Sequence, residues 1–369
     1  MQTIASMRGH RVLGGWALWK CEVPLSRARG VTMKDVGQLA GVSPSTVSRV
    51  LNGASTLVPI TGETRQRVLQ AAEALNYSPH PLARGLRGAG TALLGLIVRE
   101  IADPFFTALL AAIASEAQRR GYNLVLGHAG SSARQALALT QVLEVRHCEA
   151  ILLVGDLLDE SRLVEELQGT ELAMVGLCQG RRSPGLSTVN TDNERGARLA
   201  LEHLYQLGHR RIALLDAGWI GDVEPRRSAY YEFLSERGLD APSAYHQTTS
   251  NDAGGGQAAF AQLLRLPRPP TAVFATTDVL AIGAIKGAEE AGLRVPRDVS
   301  VVGFDDIPFA VYTVPSLTTV RQPIPAMARL AIEIALRVAA EGGGRDEAQH
   351  LLEPELVVRQ STARPRERR

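Results

Sequence analysis

VTMKDVGQLAGVSPSTVSRVLN, residues 31–52, decides how the front of this chain folds. Thr32 followed three residues later by Asp35 is an acidic variant of the capping box, so a first helix starts at Met33 with a carboxylate at the positive end of its dipole. Val36, Leu39 and Ala40 recur at three- and four-residue spacing and are expected as its buried stripe. Gly41 supplies the positive φ that stops the helix, and Gly41-Val42 makes the turn. Ser43 caps a second helix, with Pro44 at the first helical position, where a missing N–H costs nothing. Val47, Val50 and Leu51 face inward, leaving Pro44, Ser45, Ser48 and Arg49 outside. Caps, turn and outer face agree on a DNA-reading helix-turn-helix rather than a solvated helical hairpin, because the start of such a second helix reaches base edges in the major groove. Arg49 is the best base reader, its guanidinium fork matching the two acceptors of a guanine.

Outward from this motif, Thr61 caps a third helix to Leu75, with Val68, Leu69, Ala72 and Leu75 as its inner stripe and Asn76 as its end. YSPHPLARGLR, residues 77–87, runs into Gly88-Ala89-Gly90 and reads as a hinge. From Leu93 the pattern changes. LLGLIV, YNLVLG, AILLVG, LAMVGL, RIALLDA, TAVFATT and VSVVGF are apolar runs, most leading into amphipathic helical segments, which suits parallel strands buried on both faces of a doubly wound α/β body. A chain of 369 residues exceeds one hydrophobic core, in keeping with a small module plus a larger body.

The overall charge of +2 hides a polarity: by residue count, residues 1–30 carry +4, 31–90 carry +3, 91–358 carry −9 and 359–369 carry +4. A basic front is drawn to phosphates and an acidic body is repelled from them, so binding to nucleic acid should weaken steeply with salt. Residues 1–30 read as a disordered basic arm or as a start codon assigned too far upstream; the basic start before Val12–Trp19 only faintly imitates a signal peptide. Cys21, Cys148 and Cys178 have no metal-like spacing and fit a reducing cytoplasm, so no metal or cofactor is expected.

AGVSPSTVSRVLN, YSPHPLARGLR, VSVVGFDD and LTTVRQP, in this order, identify residues 31–361 as resembling the LacI/GalR family of bacterial transcription regulators. The resemblance implies an all-α helix-turn-helix head (31–76), a hinge (77–90), a two-lobed effector-binding and dimerisation domain (91–361) and a basic tail (362–369). The body resembles periplasmic sugar-binding proteins, the chain crossing between lobes near Asp192, near Thr319 and near the C-terminal strand, with a small effector between the lobes. It further implies a cytoplasmic homodimeric repressor that binds operator DNA under control of a sugar, sugar acid or similar metabolite. Its candidate DNA contacts are Thr32, Ser43, Pro44, Ser45, Thr46, Ser48, Arg49 and Asn52, with His80, Ala83 and Leu86 at the hinge. The leucine matching Leu86 wedges into the minor groove, where a pair of apolar wedges unstacks a central step and bends the duplex.

This chain departs from the family pattern at three places. His80 replaces a usual asparagine, the loop Gly53–Pro59 is about three residues longer on motif spacing, and Gly37 replaces an alanine at a cost of roughly 1 kcal/mol of helix stability.

Effector residues carry over by motif. Phe105 and Phe106, in ADPFF, are either effector contacts or core, since two adjacent aromatics on a helix point differently. Arg226, in EPRRSAYYEFL, matches the arginine that clamps ligand oxygens, with Arg227 as a basic decoy. Asp192 is expected to cap the next helix and contact ligand, and Asp305 to grip paired hydroxyls while Asp306 caps a turn. Thr277 stands where a lac-type regulator has an amide, with Asp278 as the next helix cap, and Gln322 lies at the lobe junction. Asn251 stands where lac-type proteins place a stacking tryptophan, which argues against a galactoside. Arg99 suits an anionic effector such as a sugar acid or sugar phosphate, or is a surface arginine.

Two other classes fit less well. A transport binding protein would have no use for VSPSTVSRVLN, and an enzyme would need a nucleophile elbow, a phosphate loop or a zinc helix, none of which is in the sequence. His128, His203 and His209 are expected to be structural.

Overall fold

Three helices form at the front where their caps predict them: α1 (Met33–Ala40), α2 (Pro44–Asn52) and α3 (Gly62–Ala74). The computed structural model describes residues 31–52, 60–77, 90–145, 147–156, 172–180, 186–218, 221–342 and 347–366. The Thr32 backbone donates to Asp35 Oδ2 at 2.7 Å while Asp35 N donates to Thr32 Oγ1 at 3.4 Å, closing the capping box. Gly41 ends α1 with φ 68°, Ser43 Oγ accepts from Thr46 N at 3.2 Å, and Thr61 Oγ1 accepts from Thr64 N at 3.3 Å. Asn76 turns left-handed after α3, at φ 48°. Val36, Ala40, Val47, Val50, Val68, Ala71 and Ala72 make the core of this unit.

Two expected stripe residues lie outside that core. Leu39 and Leu69 are exposed, and Gly37 and Ala71 take the buried places instead. The physical reason is room: a β-carbon on Gly37 would lie 2.7 Å from the Val42 carbonyl oxygen, so the turn closes on this helix more tightly than a side chain allows. The glycine thus costs helix propensity but permits a closer hairpin. Tyr77, assigned to the hinge on sequence, donates its backbone N–H to Ala72 and packs on the head.

The second unit begins at Pro81 in the division of the chain and contains two six-stranded sheets. In chain order its first strands are β1 (Leu93–Val98), β2 (Asn123–His128), β3 (Ala150–Val154), β4 (Ala173–Leu177) and β5 (Ser187–Thr191). The second sheet opens with β6 (Ile212–Asp216), β7 (His246–Thr248), β8 (Ala272–Ala275), β9 (Ser300–Asp305) and β10 (Thr318–Arg321). The chain then returns with β11 (Gln349–Leu352) to the first sheet and β12 (Glu355–Val357) to the second. Their orders are β11-β5-β4-β3-β1-β2 and β12-β10-β9-β8-β6-β7, with every pair parallel except the antiparallel β10–β12.

Helices α4 (Pro104–Arg119), α5 (Ala133–Val145), α6 (Asn193–Gln206), α7 (Glu224–Glu236), α8 (Ala253–Leu264), α9 (Asp278–Glu290) and α10 (Ile324–Ala340) accompany the sheets. The seven apolar runs all contain strands, but β2 is an edge strand with Leu126 exposed rather than one buried on both faces. Each sheet reverses direction of winding between its first and third strands, β1/β3 and β6/β8, and such switch points open crevices at the carboxyl ends of strands.

The chain passes between lobes three times: from β5 into α6 at Asp192, from β10 into α10 at Gln322-Pro323, and from β11 to β12 at Glu353-Pro354. Packing on the second sheet continues past residue 361. Ser361 is fully buried, and its hydroxyl donates to Val301 O while accepting from Thr318 N at 2.8 Å. Ala363 O takes His209 Nε2 at 2.9 Å, and His209 Nδ1 meets Thr271 Oγ1 at 2.9 Å. His203 likewise meets Thr362 at 2.9 Å and His128 meets the Arg99 carbonyl at 3.1 Å, so all three histidines make structural contacts.

Burial holds His209 down at about 4, the Ala363 carbonyl opposing this. It stays neutral in the fold but takes a proton below about 6.5 when unfolded, so its contribution is present above that pH and lost as pH falls toward 4. Against a non-titrating His209→Gln variant, wild-type protein should therefore lose on the order of 3 kcal/mol of its advantage between pH 7 and 4. Urea unfolding of both proteins across that range checks it, and a constant gap contradicts it.

Candidate functional site

The head presents one polar face. Ser43, Pro44, Ser45 and Arg49 are exposed, Thr46 and Ser48 are half-buried, and Val47 and Val50 between them are buried. Ser43 Oγ lies 2.8 Å from Ser45 Oγ and 2.9 Å from Thr46 Oγ1, so the hydroxyls at the start of α2 hold one another in register. Thr32 spends its side chain on the α1 cap. Asn52 ends α2, but its side chain, like His80, Ala83, Leu86 and the loop Gly53–Pro59, lies outside the described residues.

In the body, the carboxyl ends of the strands converge on Arg226, which is 1% exposed. It lies on the inner face of α7 with Ala229, Tyr230 and Phe233. Its Nε donates to Asn193 Oδ1 at 2.8 Å, Nη1 to the Thr276 carbonyl at 2.6 Å and to Asp305 Oδ1 at 3.4 Å, and Nη2 to Asp222 Oδ2 at 3.3 Å. The guanidinium carbon lies 3.7 Å from the centroid of the Phe304 ring, so the cation also faces a π-cloud. Gln322 bridges this network to the first lobe, donating to Asp305 Oδ1 at 2.8 Å and accepting from Thr191 at 2.6 Å.

Burial raises the Asp305 carboxyl well above its ordinary value, opposed by the Arg226 charge and reinforced by Asp278. Its backbone is also strained, at φ 120°, a region that costs a non-glycine residue about 1–3 kcal/mol.

The lobes meet again at the other side of the cleft. Asn251 Nδ2 donates to Asp103 Oδ2 at 3.0 Å across the lobes, and Asn251 Oδ1 accepts from Thr277 at 2.8 Å. Nearby, a β-carbon on Gly180 would fall 1.9 Å from the Gly221 carbonyl carbon, so glycine is required for this approach. A cavity of about 570 Å3 opens at the mouth, lined by Arg99, Glu100, Ala102, Asp103, Pro104, Ser131, Asn251, Asp252 and Val279.

The expected effector residues divide accordingly. Arg226, Asp305 and Gln322 form one network, and Thr277 belongs to a separate bridge, through Asn251 to Asp103. Phe105 and Phe106 are both buried, with ring centroids 5.4 Å apart, on a helix that starts from the Asp103 cap and packs against α10 and β2. Asp192 caps α6, and its neighbour Asn193 reaches Arg226 instead.

Two cap assignments change. Thr277, not Asp278, caps α9; Asp278 is fully buried and accepts from Ile307 N at 2.9 Å and from Thr319. Asp306 caps no turn but pairs with Arg321 at 2.7 Å and Arg359 at 2.6 Å. Arg227 is held by Asp216 at 2.9 Å, away from Arg226's partners. Arg99 is half-buried at the mouth, 4.9 Å from the Phe106 ring centroid. Asp222 was missed, although its position four residues before Arg226 is the spacing of a helix ion pair. Asn193 and Asp103 carried no comparable signal beyond their helix-start context.

Comparison with known proteins places these features. The bacterial regulatory proteins of the lacI family match residues 32–80, and the periplasmic binding protein-like domain matches residues 201–362. The HTH-type transcriptional regulator GalS of Salmonella typhimurium is 36% identical over 340 residues, covering 90% of this chain and 97% of the relative. The chain belongs to the lacI family of bacterial regulatory proteins. The crystal structure of a lac repressor dimer bound to operator and the anti-inducer ONPF matches with a TM-score of 0.81 at 28% identity, over 91% of this chain and 100% of that one. A complex of the transcriptional regulator CelR with cellobiose matches with a TM-score of 0.65 at 29% identity, over 90% and 99%. This lacI-family chain is a DNA-binding transcription regulator with a helix-turn-helix head and a two-sheet parallel α/β body. Among its described residues no helix is long and apolar enough to cross a membrane.

Replacing Arg226 by Met would leave Asp222 and Asp305 buried without their countercharge, at a cost of about 3–5 kcal/mol. The Asp305 carboxyl, already raised by burial, would lose the Arg226 charge that opposes this, so the loss should shrink as pH falls from 8 to 5. Denaturant titrations of Arg226→Met at both pH values test this, and an equal loss at both contradicts it.

Proposed function

We propose that this lacI-family regulator is a repressor that works as a homodimer, each head reading one half of a duplex operator, under the control of a small effector held between the lobes. The observation that carries the DNA reading is the exposed face Ser43, Pro44, Ser45 and Arg49 on a helix whose opposite face is buried. Arg49 reads a base edge, and Thr32, Thr46, Ser48 and Asn52 position the head on phosphates and neighbouring bases. His80, Ala83 and Leu86 belong to the segment joining head and body, with Leu86 as the minor-groove wedge. The boundaries this supports are an N-terminal extension to residue 30, a head over 31–77 and a body whose packed chain runs on to Ala363.

In the body, Arg226, Asp305 and Gln322 are the effector's polar partners, Thr277 and Asn251 border it, and Phe105 and Phe106 support the wall beneath. Asp192 acts through the α6 cap. The sugar ligand of CelR in its complex favours a sugar-like effector here. Coupling of about 1–3 kcal/mol between effector and DNA would change operator occupancy markedly. The reading assigns regulation by binding rather than turnover, in the cytoplasm where bacterial operators lie.

The segment after β9 exposes Phe309, Val311, Tyr312 and Val314, an apolar patch suited to a second copy of the chain. Tyr312→Asp combined with Val314→Asp should shift sedimentation from dimer to monomer and weaken operator binding; an unchanged sedimentation coefficient excludes this patch from the interface.

Arg49→Ala should relax preference among operator variants by about 1–3 kcal/mol at one base pair while weakening binding to random duplex far less. Competition binding on both duplexes at low salt reads this out, and equal losses on the two would remove Arg49 as a base reader.

A further inference from the structure

The lobes are joined at two places that respond very differently to a change in their angle. In the first sheet the crossing strands β5 and β11 lie at one end of the order, and β1, which leads into Asp103, is three places from β5. In the second sheet β10 and β12 lie at one end, and β7, which leads into Asn251, is four places from β10. At about 4.8 Å per strand, the contact of Asn251 with Asp103 stands roughly 14–19 Å from the crossings, whereas the bond of Thr191 to Gln322 lies at them. A rotation of about 10° about the crossings would part Asn251 and Asp103 by roughly 2–3 Å, beyond hydrogen-bond range, and leave the Thr191 bond nearly unchanged.

Each half of this contact is fixed on its own lobe. Asp103 Oδ1 accepts from Phe105 N at 2.8 Å as the α4 cap, and the Asp103 carbonyl accepts from Thr107 N at 2.9 Å and from Thr107 Oγ1 at 3.0 Å. Oδ2 is left facing the second lobe, where it accepts from Asn251 Nδ2 at 3.0 Å. On that side Thr277 Oγ1 accepts from Leu280 N at 3.4 Å at the start of α9 and donates to Asn251 Oδ1 at 2.8 Å. The hydroxyl donor fixes which way the amide points, its NH2 group toward Asp103. The next residue, Asp252, caps α8 by accepting from Gly255 N at 2.7 Å. Both side chains are thus ordered before they meet, so little of the rotamer entropy that usually cancels an isolated polar contact is lost.

We propose that Asn251 and Asp103 form a latch that sets the angle between the lobes: the cleft closes through the chain's own groups, and an effector acts by shifting that closure. The latch stands on the geometry of the body; only its effect on the heads rests on the proposed control of operator binding from the cleft. The cavity of about 570 Å3 at the mouth is lined by both residues, so a molecule seated there meets the latch directly.

The test exchanges the two groups. Asn caps a helix as well as Asp does, so Asp103→Asn keeps the α4 cap but sets an amide NH2 against that of Asn251. Asn251→Asp keeps the acceptor for Thr277 but sets carboxylate against carboxylate. Each single variant breaks the latch, and the double variant rebuilds it with donor and acceptor reversed. Val145 of α5 and Gln262 of α8 are exposed, one on each lobe. Spin labels at Val145→Cys and Gln262→Cys, in a Cys21→Ser background, report the distance between the lobes by pulsed electron resonance, Cys148 and Cys178 being buried. Labelled full-length chains are diluted into unlabelled protein so that each distance lies within one chain. Burial raises the Asp103 carboxyl, the Phe105 N–H opposing this, so the measurement is made at about pH 8, well above the carboxylate range.

Each single variant should lengthen the mean distance by about 2 Å or more and change operator affinity about fivefold or more. The double variant should restore the distance and bring operator affinity back to within about twofold, because the two substitutions act on one bond. Asn251→Ala, which adds no repulsion, should lengthen the distance as well and keeps the test decisive if a single exchange folds poorly. Single variants that leave the distance unchanged, or additive effects in the double variant, overturn the latch. If the distances follow the latch while operator affinity stays constant, the latch stands and the proposed control of operator binding from the cleft fails.

Discussion

A buried guanidinium tolerates no neighbour that fails to accept a hydrogen bond or face it with a π-cloud, and the cleft of this protein is arranged around that requirement at Arg226. Its partners come from separate parts of the chain: Asn193 at the start of α6, Thr276 after β8, Asp305 at the end of β9, and Asp222 one turn earlier on its own helix approach. Each would be costly to bury alone, and each is positioned by an element whose other face belongs to an apolar core. The strained backbone of Asp305 is held by the same set of contacts, which is how a conformation disfavoured by itself persists at the end of a strand.

The two units divide the electrostatic work. The head and flanking segments are basic by sequence and the body acidic, and within the body Asp103, Asp222 and Asp305 lie close together near the strand ends. That arrangement leaves the head attracted to a polyanion. The C-terminal segment, basic as a sequence, is tied into the second sheet through Ser361 and Ala363, so its first residues serve packing rather than charge.

Legibility followed physical range. Caps, turns and strand cores are local, and Thr32–Asp35, Gly41, Ser43 and the seven apolar runs were readable because a few neighbouring residues determine each. Leu39 and Leu69 were misread because periodicity marks a face but not how closely the next helix approaches it, and the bare Gly37 let the turn occupy the space instead. Short strands such as HQT and ELV carry no apolar run and owe their existence to a neighbour's unpaired edge. In the cleft, Arg226, Asp305 and Gln322 could be picked out by motif, whereas Asn193, Asp103 and the burial of Asp278 arise from contacts made across long stretches of chain. Even the choice between Arg226 and Arg227, one residue apart, is settled by which side of α7 meets the strand ends.

The three crossings between lobes run side by side: Asp192 N donates to Leu352 O between the first and third, and Arg321 approaches Glu355 between the second and third. A single tether would let one lobe twist, slide and bend against the other. Three adjacent tethers, laced together, leave a pivot about one line as the soft motion. The opening between the lobes is thereby reduced to an angle, a coordinate with one degree of freedom.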